Sequence, residues 1–268
     1  MEYHSSQSQF SSRWGTVTDG QHLRATFRQG DTDAVSRMAD AEVERSRAAG
    51  DPAGEVEGLY GLARVALRGG DLEQAADLAK HALAVAQRAG ERRLEERPRH
   101  VLAAVARLSG DHERARDLYE ASIELNRVLG QDEHVHSEYH NLALVELHLG
   151  NVERARQLIA ESRERVFRAG YRDFLPYLGL AGAALASEDG DMPLAARLIG
   201  FTDQAFADLG QVPDPDDARE LDGIRIRVSA VLERDAFESE CATGAAWTLM
   251  RAFGRTWPGD TGRCPDEE

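Results

Sequence analysis

The chain has 268 residues and a formal net charge of −15, and 42% of its residues are hydrophobic. This charge argues against a nucleic-acid-binding protein, which usually carries a basic face, and no apolar run approaches the roughly 18 residues that span a bilayer. Residues 1–14 are polar and lack the apolar core of a secretory signal. We therefore expect a cytoplasmic protein that binds neither membranes nor nucleic acid.

Glycine recurs every 40 residues in two series, and each series marks the ends of predicted helices. The first series is Gly30, Gly70, Gly110, Gly150 and Gly190. The second series is Gly50, Gly90, Gly130, Gly170 and Gly210. A fixed period of this length is typical of repeat proteins, in which each unit packs on its neighbours. It favours an extended binding surface over a buried catalytic pocket.

The repeat around Gly150 predicts the local structure. Apolar residues in 137–149 recur at helical spacing, and Gly150 supplies the left-handed residue that ends this helix. Asn151 is placed to cap a second helix, which ends before Gly170. Each repeat is therefore predicted to be a helical hairpin. Small residues such as Ala115 let the two helices approach closely.

The pattern changes after the fifth repeat. Residues 211–217 contain two prolines and are predicted to form a linker. One helix is expected from Asp216 to about Arg234, and another over 235–253. The acid pair formed by Asp216 and Asp217 is interpreted as a helix start or as a solvated position.

The repeated positions resemble the tetratricopeptide repeat. The matching residues of the three central repeats are Leu62, Ala63, Gly70, Asp71, Ala75, Leu102, Ala103, Gly110, Asp111, Ala115, Leu142, Ala143, Gly150, Asn151 and Ala155. The resemblance covers about residues 18–211, with a period longer than the roughly 34 residues usual in that family. It implies a superhelix that binds a protein partner in a concave groove.

A second resemblance covers the C-terminal part of the chain. Residues 195–200, the following helices, Phe237 and Gly244 resemble the end of the sensor region in large bacterial signal-transduction ATPases of the MalT-like type. Cys241 stands where many of these proteins carry tryptophan. Since the chain has no GxxxxGK[ST] loop, it resembles the sensor region alone.

These observations predict an all-α fold, a right-handed α-solenoid of about five 40-residue helix–turn–helix repeats with a C-terminal helical cap. The predicted segments are a flexible N-terminus at 1–15, the repeat array at 16–211, the cap at 212–253 and a disordered tail at 254–268.

The candidate binding residues lie on the first helix of each hairpin. By register with the tetratricopeptide repeat, the groove residues are Tyr60, Arg64, Arg68, Arg97, His100, Arg107, His140, Leu144, His148 and Tyr177. Arginine can pair with carboxylates in a bidentate manner, and tyrosine offers flat contact area. We therefore expect an acidic peptide, a carboxylate terminus or an anionic small molecule as ligand. The alternative is a solvated face whose arginines pair with nearby acids.

Four histidines cluster in one repeat, namely His134, His136, His140 and His148. Two of them, His136 and His140, can point the same way and could hold zinc with a third ligand. However, HSEYH is not the HExxH motif, and Glu138 points away from that face. We predict no metal site and no cofactor. A pH-sensitive or ligand-contacting pair of His100 and His140 is an alternative.

The sequence contains no recognisable catalytic motif. It has no GxSxG nucleophile motif and no dinucleotide-binding fingerprint after a strand, and Gly58 and Gly61 lie inside a helical pattern that indicates close helix packing. The favoured function is a non-catalytic adaptor or regulatory module that binds a protein or peptide. The alternatives are a small-molecule sensor or an unusual enzyme with an Arg/His/Tyr-lined cavity, and a structural homodimer.

Overall fold

The computed structural model describes the backbone of residues 15–258 and the side chains of residues 20–131 and 135–258. Regular structure in this part of the chain is entirely helical, as predicted. The predicted flexible N-terminus, most of the predicted disordered tail and the side chain of His134 lie outside these residues. The chain divides into two compact units, Met1–Val101 (unit 1) and Leu102–Glu268 (unit 2), which are described separately.

Five helical hairpins follow one another along the chain, and three further helices come after them. The helices are α1 (Gly15–Arg28), α2 (Thr32–Ala49), α3 (Pro52–Arg68), α4 (Leu72–Ala89), α5 (Glu96–Leu108), α6 (His112–Leu129), α7 (Asp132–His148), α8 (Val152–Ala169), α9 (Leu175–Glu188), α10 (Met192–Leu209), α11 (Pro215–Ser229), α12 (Arg234–Ala245) and α13 (Leu249–Phe253). The odd-numbered helices α1 to α9 are the first helices of the hairpins. Short 3-10 helices, Arg92–Glu95 and Arg172–Phe174, precede α5 and α9.

The two glycine series end the helices as predicted. All ten glycines adopt positive φ angles, from 60° at Gly210 to 87° at Gly30, a region that residues with a Cβ rarely occupy. The aspartate after the first-series glycine caps the following helix, as at Asp71, whose side chain accepts a hydrogen bond from the Gln74 amide at 2.9 Å. The prediction that Asn151 caps in this way is wrong, because its side-chain amide donates to Glu146 at 2.7 Å instead.

In unit 1, α3 packs between α2 and α4, and α1 packs on α2 and α3. Leu23, Phe27 and Val35 are buried where the first hairpin meets α3. A Cβ at Gly58 would lie only 2.7 Å from a methyl group of Val43, so the predicted close helix packing at this glycine is confirmed.

In unit 2, helices α6 to α10 enclose one large core, to which later helices add. Leu221, Ile224 and Val228 of α11 are buried in this core, and Trp247 is half-buried against it. Helix α12 packs closely on α10. Helix α11 therefore has an apolar side that belongs to the repeat core, while the rest of its buried surface is polar.

The C-terminal helices are shorter than predicted. The helix expected to reach Arg234 ends at Ser229, and the single helix expected over 235–253 is divided into α12 and α13. The division occurs because Thr248 starts a new helix, accepting a hydrogen bond from the Arg251 amide at 3.3 Å. Beyond α13, Trp257 is buried, with its ring centroid 5.0 Å from that of Phe167.

We expect that Ala115→Leu destabilises the protein by about 1–3 kcal/mol, because the added atoms overpack a closed joint. Ala115 is fully buried on α6, five residues after a first-series glycine. Urea unfolding measures the loss. The matched control is Ala121→Leu, at an exposed position of the same helix, which should change the free energy of unfolding by less than about 0.5 kcal/mol. Equal effects of the two variants would contradict the close-packing interpretation.

Candidate binding surfaces of the two units

The first helices of unit 1 carry a cluster of arginine and aromatic side chains, which we call the arginine face. It consists of Arg24 and Phe27 on α1, Tyr60, Arg64 and Arg68 on α3, and Arg97 on α5. The buried Phe27 ring is its floor. The guanidinium carbons of Arg64 and Arg68 lie 3.8 and 4.1 Å from the centroid of this ring. Both distances are within the range of cation–π contacts.

The remaining two arginines share one carboxylate. Glu57 of α3 lies 2.6 Å from a guanidinium nitrogen of Arg24 and 3.0 Å from one of Arg97. Arg97 also lies over Tyr60, with 5.3 Å between the guanidinium carbon and the ring centroid. Glu57 therefore holds both arginines in place.

The charged groups of the arginine face influence one another. Burial and the neighbouring charge of Arg97 lower the pKa of Arg24, although Glu57 opposes this change. Arg24, Arg68 and Arg97 are half-buried, whereas Tyr60 and Arg64 are buried, each 9% exposed. His100 is also half-buried, on α5.

In unit 2, the predicted binding residues lie beneath α11 rather than on an open face. Arg107 is only 5% exposed, and one of its guanidinium nitrogens lies 2.9 Å from Asp216 and 3.4 Å from Asp217. The other guanidinium nitrogen lies 3.5 Å from Glu220. Asn141 accepts a further hydrogen bond from Arg107 at 3.1 Å. We call Arg107 and its three carboxylate partners the Arg107 cluster.

Two of the predicted histidines complete these contacts. The Nε2 atom of His140, which is 2% exposed, lies 3.1 Å from Asp217. The Nε2 atom of His148 lies 2.8 Å from Glu220, and its ring stacks on that of His112 with a centroid separation of 4.4 Å. Asp216, Asp217 and Glu220 of α11 therefore each meet arginine, histidine or both on the first helices of the repeats.

Two carboxylates of α11, Asp217 and Glu220, are held in their ionised form by their neighbours. Burial alone would raise the pKa of Asp217, but the charge and hydrogen bond of His140, together with Arg107, bring it below its ordinary value of 3.8. Burial likewise opposes ionisation of Glu220, and the hydrogen bond from His148 with the charge of Arg107 lowers the pKa of this group below 4.5. Both carboxylates therefore stabilise the fold above their ordinary pKa values, and this contribution is lost as the pH falls through the lowered ones.

Two further predicted residues are closed off from solvent. Leu144 is fully buried in the unit 2 core, and Tyr177 is packed among aromatic rings, with its centroid 4.8 Å from that of Phe174. The structure thus brings Arg107, His140 and His148 together under α11, and it leaves Leu144 and Tyr177 as packing residues of unit 2.

The acids that meet these residues were not recognised as binding residues from the sequence. Asp216 and Asp217 begin α11, as one interpretation predicted, but the alternative of a solvated position is wrong because both are buried. A signal was present, since Glu220 follows at helical spacing and Leu221 and Ile224 extend the same stripe along α11. Glu57 was also missed, because it occupies a position that the other repeats fill differently.

Neither a metal site nor a membrane span is found in residues 15–258. Among the side chains that the structure describes, no group of three or more His, Cys, Asp or Glu residues is arranged to hold a metal ion. Over the same part of the chain, no helix is both long enough and apolar enough to cross a bilayer.

Comparison with known proteins agrees with the repeat architecture. Residues 55–127 match the tetratricopeptide repeat family, so the predicted resemblance is confirmed for that stretch. No curated protein matches the chain. The chain is similar to the crystal structure of BtubC (BKLC) from P. vanneervenii, with a TM-score of 0.54 and 19% identity over 88% of this chain and 99% of that chain.

This structural likeness concerns the fold alone, which is all-α and of the helical-repeat solenoid class. Tetratricopeptide repeats generally mediate protein–protein interaction. The matched stretch includes Tyr60, Arg64, Arg68 and Arg97 of the arginine face, and it lies in the part of the chain where the repeat pattern is strongest.

Proposed function

We propose that this chain is a non-catalytic adaptor or regulatory module that binds an acidic segment of a protein partner on its arginine face. The observation that carries the proposal is the arrangement of Arg64, Arg68 and Arg97 over aromatic rings, with Glu57 between Arg24 and Arg97. Preoriented guanidinium groups favour carboxylates, because little side-chain freedom is lost on binding. The resemblance of residues 195–244 to bacterial sensor regions supports a regulatory role.

The charge distribution makes this binding specific rather than general. The chain carries a net charge of −15, so an acidic partner is repelled by most of the protein. Attraction is expected only where arginines lie close together, as they do on the arginine face. Binding should therefore weaken as salt screens the guanidinium charges.

The proposal predicts that Arg24→Gln with Arg97→Gln weakens the binding of an acidic peptide about tenfold or more, since a hydrogen bond to a charged group contributes about 1.5–3 kcal/mol. The probe is a fluorescein-labelled peptide rich in Asp and Glu with a free C-terminal carboxylate. Its dissociation constant is measured by fluorescence anisotropy at about 150 mM salt, where only close charges interact strongly.

The matched control is Arg37→Gln with Arg88→Gln, which makes the same charge change at exposed positions of α2 and α4. It should alter the dissociation constant by less than about twofold, because exposed charges beyond a Debye length are screened. A third variant, Glu57→Gln, removes the resident carboxylate and should tighten binding several-fold, a gain that misfolding cannot produce. Equal weakening by both arginine pairs, or no gain in Glu57→Gln, would contradict the proposal.

A further inference from the structure

A stacked pair of histidines forms part of the polar contact that holds α11. The Nε2 atom of His148, on α7, lies 2.8 Å from Glu220, and its ring stacks on that of His112, at the start of α6, with 4° between the ring planes. A cavity of about 210 Å³ adjoins both rings, and the side chain of His148 is 35% exposed. Water and protons can therefore reach this contact, although the carboxylate of Glu220 is buried.

The charges buried under α11 do not balance without a further proton. The Arg107 cluster contains one guanidinium group and the three carboxylates that surround it. A surplus of buried negative charge is costly, and a histidine that takes a proton beside it reduces the surplus. His148 is the more accessible of the two histidines that contact these carboxylates, because His140 is only 2% exposed.

His112 competes poorly for this proton. Burial, followed by the charges of His148 and Arg107, lowers the pKa of His112. Two charged rings would also repel each other at the centroid separation of 4.4 Å, and the carboxylate of Glu220 lies beside His148. A proton that enters the stacked pair is therefore expected on His148.

Two further arginines of α11 line the same cavity, but both are exposed and have other partners. Arg219 donates a hydrogen bond to the carbonyl oxygen of Leu108 at 2.5 Å. Arg227 lies 3.4 Å from the hydroxyl group of Ser187 and 3.7 Å from Glu188. Because solvent and salt screen exposed charges, these arginines affect the buried carboxylates less than His148 does.

We propose that His148 is a pH-sensitive latch for α11. When His148 carries a proton, its charged hydrogen bond to Glu220 helps to hold α11 on the first helices of unit 2. When His148 loses the proton, this contact weakens and α11 opens more often. Opening uncovers Arg107 and His140, so the latch controls access to these residues. This inference concerns unit 2 and is independent of the arginine face.

The direction of the pH dependence follows from the charges. A neighbouring carboxylate favours the protonated form of a histidine, so this contribution is lost as the pH rises through the range of about 5 to 8 in which imidazole groups change charge. At low pH the carboxylates of Asp217 and Glu220 lose their charge instead, as the pH falls through their lowered pKa values. Helix α11 is therefore held best at mildly acidic pH.

The test measures hydrogen exchange of the α11 amides by mass spectrometry between about pH 6 and 8, corrected for intrinsic exchange rates and compared with the amides of α9. We expect the protection of α11 to fall at least about tenfold over this range, because a hydrogen bond to a charged group is stronger than a neutral one. His148→Gln keeps a hydrogen-bond donor for Glu220 but cannot gain a proton. Its α11 protection should vary by less than about twofold.

A second variant, Glu220→Gln, removes the carboxylate partner and should abolish the same pH dependence although His148 is retained. The matched control is His81→Gln. His81 lies 3.9 Å from Glu55, but its side chain is 45% exposed, so this variant should keep the pH dependence of the unaltered protein. Protection of α11 that is constant with pH in the unaltered protein, or that keeps its pH dependence in His148→Gln or Glu220→Gln, would overturn the latch. If one of these variants fails to fold, the other decides.

Discussion

Arg107→Ala should destabilise the protein by about 3–5 kcal/mol, the range found when one partner of a buried ion pair is removed. The guanidinium of Arg107 is the shared partner of Asp216, Asp217 and Glu220, all of which are buried. Without it, three carboxylates remain in a desolvated site and lose the cation that they share. The free energy of unfolding in urea at neutral pH measures the loss. Hydrogen exchange in α11 shows whether this helix has become detached from the repeats.

The matched control is Arg156→Ala, which breaks an ion pair with Asp189 of similar length, 2.8 Å, between side chains that are both more than two-fifths exposed. An exposed pair of this kind contributes about 0–1 kcal/mol. A second comparison replaces Arg107 by Leu together with Asp216→Asn and Glu220→Gln, which removes most of the uncompensated charge and should recover part of the stability. If Arg107→Ala and Arg156→Ala had equal effects, the Arg107 cluster would not be what holds the polar side of α11.

The sequence was sufficient to predict the hairpins because their determinants are local. A glycine at Gly150 or Gly170 ends its helix through its own φ angle, and a residue such as Ala115 packs against the neighbouring helix of its own or the adjacent repeat. Such interactions repeat with the sequence, so their period is visible without coordinates. The one capping error, at Asn151, arose because its side chain donates to Glu146 and accepts no hydrogen bond from the first amides of α8.

The position of α11 could not be predicted in the same way. Arg107 and Asp216 are 109 residues apart, and no period relates them. An acid pair after a proline is typical of any helix start, because negative charge is favourable there. Asp216 and Asp217 differ from an ordinary helix start because a stripe of buried residues continues from them to Ile224. This stripe predicts where α11 packs only when the arginine and histidine residues of the first helices are known to face it.

The repeat register predicted where the arginine-rich positions lie, but it did not predict which residues they contact. Arg64 and Arg68 lie over Phe27 because the first helices of neighbouring hairpins are adjacent, which the period implies. The carboxylate between Arg24 and Arg97 comes from Glu57, a position that carries Arg97 itself one repeat later. Repeats share backbone geometry more than side-chain identity. A contact between unlike residues at related positions is therefore hard to recognise from the sequence period.

Gly244→Ala should detach α12 from α10, at a cost of about 1–3 kcal/mol or more, because the two helices meet through their main chains. A Cβ at Gly244 would overlap the carbonyl group of Arg197, and a Cβ at Gly200 on the opposite helix would overlap that of Cys241. Both obstacles are backbone atoms, so no side chain can rotate away. The nearby ion pair of Arg197 and Glu240 should be lost with the contact.

The half-buried thiol of Cys241 reports directly on this contact. Burial raises the pKa of Cys241, which slows its reaction with a disulfide reagent at neutral pH. In a Cys264→Ser background, Gly244→Ala should therefore make Cys241 react several-fold faster. The control is Gly223→Ala on α11, where a Cβ would meet no atom within 4 Å, so the better helix propensity of alanine should stabilise the protein by up to about 1 kcal/mol. If Gly244→Ala left the reaction rate of Cys241 unchanged, the close backbone contact between α10 and α12 would not be what protects the thiol.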